Sequence, residues 1–104
     1  MRDLTWDRWG VKLTVERPQV VKKYTNRFRG GLRVTALRAG GPAARNGIRR
    51  SDILVGVHTW ETVSLENLAY IMMRSDLGNA SEVPFYILRG KQTWSGSLPV
   101  SWLR

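Results

Sequence analysis

Gly41-Pro42-Ala43-Ala44-Arg45-Asn46-Gly47-Ile48-Arg49-Arg50-Ser51-Asp52-Ile53-Leu54 is the stretch on which the fold turns. Proline is favoured at the first position of a helix, where its missing N–H costs nothing, and glycine is favoured just past the end. Pro42 and Gly47 therefore bracket a short helix over residues 42–46. The run Ile53–Val57 that follows is apolar throughout and of strand length, the pattern of a strand buried on both faces.

Working outward, Leu32–Leu37 places Leu32, Val34 and Ala36 on one face of a strand that Ala39-Gly40-Gly41 ends. Before it, Gly30-Gly31 marks a turn, and Pro18 opens one or two helical turns over residues 18–25 with Val20, Val21 and Tyr24 as a short apolar stripe. Residues 9–15 alternate from Val11 onward: Val11, Leu13 and Val15 on one face, Lys12 and Thr14 on the other, a half-buried strand stopped at Arg17-Pro18. Downstream, His58-Thr59-Trp60-Glu61 reads as a turn and Thr62-Val63 as a brief pairing. Ser64 is a favourable N-cap for a helix over about residues 65–75, with Glu66 in its first turn and Arg74 in its last, both suited to the helix dipole. Leu65, Leu68, Ala69, Ile71, Met72 and Met73 cover its broad apolar face. Asp76–Glu82 is a polar loop. Val83–Leu88 and Gln92–Val100 are strands around the hairpin turn Arg89-Gly90-Lys91. The order is that of a small α+β domain with a curved antiparallel sheet.

The chain has 104 residues, 42% of them hydrophobic, which fits one globular domain spanning 1–104. It has no cysteine and a single histidine, His58, so disulfides, thiolate metal sites and His-rich zinc sites are excluded. No metal or other cofactor is expected, and neither a phosphate-binding loop nor a dinucleotide fingerprint is present. No apolar run approaches a membrane span, and Met1-Arg2-Asp3-Leu4 lacks a secretory apolar region, as a domain excised from a longer parent would. Formal net charge is +9, unevenly placed: residues 1–50 hold 13 Lys/Arg against 3 Asp/Glu, and residues 51–104 hold 4 against 5. Such a surface attracts acidic partners and polyanions.

Residues 41–54 resemble the Gly-x-Pro-Ala-Ala, Gly-apolar, Gly-Asp-apolar-apolar run of PDZ domains of the permuted kind attached to trypsin-like serine proteases of the HtrA/Deg type. Ser51 stands where the family has glycine. Trp9-Gly10-Val11 resembles the family's apolar-Gly-apolar carboxylate-binding loop, with Trp9 in place of a smaller apolar residue. Phe85-Tyr86-Ile87-Leu88-Arg89-Gly90-Lys91 is similar to its closing strand and turn. The resemblance implies a PDZ-like α+β fold: a small curved antiparallel sheet, a partial barrel, capped by one longer and one short helix. It also implies a non-catalytic module of a serine endopeptidase in the cell envelope or periplasm, partnered by the parent's protease domain and by C-terminal or unfolded peptide segments.

PDZ domains bind peptides by strand addition. Carried onto this chain, Trp9, Gly10, Val11 and Lys12 bind the terminal carboxylate, with amides near Gly10 converging as an anion nest and Arg8 adding charge at the rim. Leu13, Val15, Leu65, Leu68, Ala69 and Met72 form the groove. Leu65, Ala69 and Met72 share a stripe at i, i+4, i+7. Leu65 stands where many PDZ domains have a histidine that prefers a ligand hydroxyl, so an apolar preference is expected two residues before the ligand's end. His58 follows an apolar run and reads as a turn residue, not a catalytic base; a serine-protease triad would lie outside these residues. The rival from another class is nonspecific nucleic-acid or polyanion binding through Lys22, Lys23, Arg27, Arg29 and Arg33, with Tyr24 and Phe28 among them to stack bases. Peptide binding is preferred, because positive charge alone supports only nonspecific association.

Overall fold

The structure, a computed structural model, describes residues 4–73 and 82–99. Its elements are helix α1 (Leu4–Trp9), strand β1 (Val11–Glu16), helix α2 (Pro18–Lys22), strand β2 (Gly31–Leu37), helix α3 (Pro42–Arg45), strands β3 (Ile53–Val57) and β4 (Trp60–Glu61), helix α4 (Leu65–Met73) and strands β5 (Glu82–Arg89) and β6 (Gln92–Pro99). All pairings are antiparallel. The sheet runs β1-β2-β3-β5-β6, with β4 on the far end of β3, and it does not close: β1 and β6 are its edges.

The apolar run of β3 is explained by layers on both sides of it, and all five of its residues are buried. On one face Leu54 and Val57 join Trp9, Val11, Leu32, Val34, Phe85, Ile87 and Leu98 in the main core. Leu68 and Ile71 of α4 and Ala43 of α3 cover that face. On the other face Ile53, Val55 and Leu88 meet Val21 of α2 and Phe28 in a second core. Burying Leu68 and Ile71 contributes about 1.5–3 kcal/mol each, which holds α4 on the sheet more than helix propensity does. At the start of α4 the Ser64 hydroxyl accepts the Asn67 amide at 3.0 Å, so the expected N-cap is formed.

Two elements differ from the sequence reading. Residues 60–61, read as a turn, form β4 and pair with Gly56 and Val57; the turn is confined to His58 and Thr59, with His58 at φ 58°. The second difference is α1, for which the sequence reading had no element. Trp9, placed there at the head of the first strand, is instead the last residue of this helix and is buried at 1% exposure. Gly10 stops α1 at φ 77°, a left-handed backbone that glycine adopts without a Cβ penalty. The expected helix residues Arg74 and Ser75, the Asp76–Ser81 part of the polar loop, and Val100 lie outside the described residues.

The stretch 41–54 is organised by Asp52, 2% exposed. Its carboxylate accepts hydrogen bonds from Arg89 Nε and Nη2, both at 2.8 Å, and from the Arg49 amide at 2.8 Å. Arg89 Nη2 also donates to the Gly47 carbonyl at 2.8 Å. Hydrogen bonding to Asp52 raises Arg89 above its ordinary pKa, against the lowering effect of burial. The hairpin turn after β5 and the loop before β3 are thus tied together. Ser51 sits at φ 76°, and such a conformation costs an L-residue about 1–2 kcal/mol. Ser51→Gly should therefore raise the unfolding free energy by roughly 0.5–1 kcal/mol, the gain being trimmed by glycine's greater freedom in the unfolded chain; a urea titration reads it directly.

Candidate functional site

β1 is an edge strand, and its ladder with β2 decides what it offers to solvent. The Arg38 amide donates to the Gly10 carbonyl at 2.8 Å, so Val11 and Leu37 are a non-hydrogen-bonded pair. The Val34 amide donates to the Asp52 carbonyl at 2.8 Å and the Val34 carbonyl accepts from the Ser51 amide at 2.9 Å, both away from β1. Leu13, paired with Val34, is therefore also non-hydrogen-bonded to β2. By the same alternation so is Val15. The N–H and C=O groups of Val11, Leu13 and Val15 point out of the sheet, while those of Lys12 and Thr14 serve β2. A register shift between Lys12 and Leu13 accommodates one extra residue of β2 and bends the strand.

The side chains on the apolar face of β1 emerge progressively. Val11 is buried, Leu13 is half-buried against the main core, and Val15 is 49% exposed. α4 packs beside β1. It buries Leu68 and Ile71 and leaves Leu65, 46% exposed, and Ala69 on a flank next to that buried stripe. The side chain of Met72 lies outside the described residues. Under β1 a small, wholly apolar cleft is lined by Trp9, Val11, Leu13, Val34, Ile48, Leu54 and Ile87.

Three expected site residues are placed otherwise than the sequence reading had them. Trp9, expected beside the terminal carboxylate, is packed in the core at 1% exposure. Gly10 does not present a free amide: its N–H donates to the Thr5 carbonyl at 2.9 Å and the Trp6 carbonyl at 3.0 Å, closing α1. The Lys12 amide faces β2. Of the expected nest, only the Val11 N–H points outward. Leu68 belongs to the core floor, and Arg8 is half-buried in the last turn of α1.

Cationic side chains stand where the nest was expected. Arg38 was missed by the sequence reading, because it follows β2 and is distant from Gly10 in the chain. Its side chain lies against Gly10, where a Cβ would come within 3.3 Å of Arg38 Cβ and Nε. The Arg38 guanidinium lies 5.6 Å and the Lys12 ammonium 5.5 Å from the centroid of the Trp6 ring. Neither cation has an acidic partner among the described residues. The signal available in the sequence was the register: strand pairing of 11–15 with 32–37 brings Arg38 opposite Gly10.

The far end of β1 is held by charge. Glu16 pairs with Arg33 of β2 and accepts the Arg17 amide at 3.0 Å. The hydrogen bond from Arg33, and next that amide, hold the Glu16 carboxyl below its ordinary pKa, against the raising effect of burial. A lowered carboxylate stabilises the fold fully above the ordinary value and loses that contribution as pH falls through the lowered one. Stability should therefore drop as pH falls below the ordinary carboxylate range, and Glu16→Gln should flatten that part of the profile in denaturant titrations at stepped pH.

The basic segment is less free than its sequence indicates. Arg29 pairs with Glu61 at 3.0 Å, Arg33 with Glu16, and Phe28 is buried. Arg27 stacks over the Phe28 and Tyr86 rings. Lys22, Lys23 and Arg27 remain without an acidic partner among the described residues, and of the two aromatics only Tyr24 is exposed. His58 stacks on Trp60 at 4.9 Å with Nδ1 3.2 Å from the Thr59 hydroxyl, a turn and not a catalytic arrangement. No group of three metal-ligating side chains occurs among the described residues, and none of their helices is long and apolar enough to cross a membrane.

Against solved structures, the chain superposes on the PDZ domain of HtrA3 bound to a phage-derived ligand (FGRWV) with a TM-score of 0.63 and 21% identity, covering 88% of this chain and 81% of that one. The fold is that of a PDZ domain. An HtrA-type protease, AlgW, with a decapeptide matches with a TM-score of 0.62 and 17% identity over 86% of this chain. This chain spans 26% of that protease, so the PDZ fold here corresponds to one part of it. No family model and no curated protein matches the sequence.

Proposed function

We propose that this PDZ domain binds protein segments, C-terminal or extended, by adding them as a strand to the open edge of β1 beside α4. The observation that carries the reading is that edge: Val11, Leu13 and Val15 direct unpaired backbone groups outward next to the exposed apolar side chains Val15, Leu65 and Ala69. A guest strand would exchange main-chain hydrogen bonds with β1 and set alternate side chains between β1 and α4. The flank of α4 bearing Leu65 and Ala69 lines the groove in this reading, and Leu65 favours an apolar residue two before the ligand's end. The carboxylate is held by the Val11 N–H and by the cations of Arg38 and Lys12, which take the place of a full amide nest; Arg8 adds charge at the rim. The domain tethers substrate or biases the state of a trypsin-like serine protease of the cell envelope, of which residues 1–104 form one module. The two HtrA-type structural neighbours, each solved with a peptide or peptide-like ligand, support that assignment.

The test is calorimetric titration with an apolar-ended peptide, as free acid and as C-terminal amide, at low and physiological salt. The free acid should bind and the amide should bind less well. Arg38→Ala should weaken the free acid about 3- to 10-fold, a surface charge-assisted contact being worth about 1 kcal/mol, and leave the amide unchanged. Binding of a DNA oligomer in place of either peptide would favour the rival reading through Lys22, Lys23 and Arg27.

A further inference from the structure

The sheet has a second open edge, on β6, and its properties are the reverse of those of β1. Pro84 has no N–H, and its carbonyl accepts the His58 amide at 2.8 Å on the β3 side. Pro84 and Ser97 are therefore a non-hydrogen-bonded pair. Alternation puts Tyr86–Ser95 and Leu88–Thr93 in the same class. Thr93, Ser95 and Ser97 thus direct their N–H and C=O groups out of the sheet. All three side chains are exposed, and among the described residues no hydrogen bond to any of the three closes this edge.

Edge strands are ordinarily blunted by lysine, by internal proline or by a bulge. β6 (Gln92–Pro99) carries no charged residue, pairs with β5 without a register shift over eight residues, and has its single proline at the end. Its face toward the main core bears Trp94, 47% exposed and stacked on Arg89 at 5.4 Å, followed by Gly96 and the buried Leu98. The net charge of +9 makes two copies repel each other as whole molecules, and β6, itself without charge, adds nothing to that repulsion.

We infer that β6 is a self-association edge whose partner is a second copy of this chain, paired antiparallel about a two-fold axis at Ser95. That register sets Ser95 against the partner's Ser95, and Thr93 against the partner's Ser97. Every outward N–H and C=O of the three residues then meets a complementary group, which a shift by one residue would destroy. The same register sets Trp94 opposite the partner's Gly96, which has no side chain to obstruct the indole, and this occurs twice by symmetry. Gly96 itself cannot carry a side chain, since a Cβ would come 2.6 Å from the Phe85 ring.

Sedimentation of the whole chain over a wide concentration range tests this. The apparent mass should rise from 11.9 kDa toward twice that value. Added salt should strengthen the association by screening the repulsion between like-charged chains, the opposite of polyanion binding. Ser95→Pro removes an outward N–H that the β5 ladder does not use, and Trp94→Lys puts a charge on the edge; each should leave a monomer with its melting transition retained. Either variant suffices if the other fails to fold. Because the chain lacks cysteine, Ser95→Cys should cross-link to its own copy under mild oxidation far faster than Thr59→Cys. A wild type that stays monomeric throughout, dimers that persist in the folded proline or lysine variant, or equal cross-linking at residues 95 and 59 would each overturn the assignment.

Discussion

Replacing Asp52 by alanine should lower the unfolding free energy by about 3 kcal/mol, the lower end of what removing one partner from a buried ion pair costs. Three donors lose their acceptor at once: both Arg89 nitrogens and the Arg49 amide. Arg89 is a quarter exposed, so water recovers part of its charge, which keeps the cost from the top of the range. The Arg49 amide and the loop that puts Ser51 at φ 76° lose their anchor as well. For a domain of this size the melting temperature should fall by roughly 15 °C. Arg89→Met should cost at least as much, because it leaves Asp52, 2% exposed, as a buried carboxylate without its cation and with the Arg49 amide as its remaining donor. Scanning calorimetry on the two variants reads both effects. Equal small losses would mean that the loop is held by Ile48 and Ile53 packing and not by the carboxylate.

That anchor also shows what was legible in the sequence. Pro42 and Gly47 mark a helix with local chemistry, and Ile53–Val57 marks a strand between two apolar layers, so both were readable from residue order alone. The partner of Asp52 was not, because Arg89 lies 37 positions away and any of several arginines satisfies the same composition. α1 escaped for a related reason. Trp6 and Trp9 at i, i+3 before Gly10 are a helix end, but a glycine between apolar residues just ahead of a strand also fits a binding loop. The structure resolves that ambiguity through one amide: the Gly10 N–H closes α1. Alternation in β1 was legible, yet its graded burial was not, since exposure of Val15 and burial of Val11 depend on where α4 sits.

The second large effect concerns the edge of β1. Leu13→Pro removes an N–H that points away from β2, so the β1–β2 ladder survives, and proline's φ fits an extended edge strand. A guest carbonyl that would have accepted that N–H is left unpaired, at a cost of about 1–3 kcal/mol, which is roughly a 5- to 150-fold loss of affinity for peptide. Thr14→Pro is the contrast. Its N–H belongs to the ladder with Arg33, so that variant should lose stability and release the end of β1 that Arg33 holds through Glu16. Calorimetric titration beside a thermal melt separates the two: binding lost with the fold kept for residue 13, and fold damaged for residue 14. If Leu13→Pro binds peptide as tightly as wild type, the guest does not lie along β1.

The most direct measurement is an amide chemical-shift titration of the domain with a peptide ending in an apolar residue and a free carboxylate. Strand addition to β1 should move the amides of Val11, Leu13 and Val15 most, with Leu65, Ala69 and the Arg38 side chain following, while Lys22, Lys23 and Arg27 stay still. Shifts confined to those three basic residues, or none along β1 at saturating peptide, would contradict it.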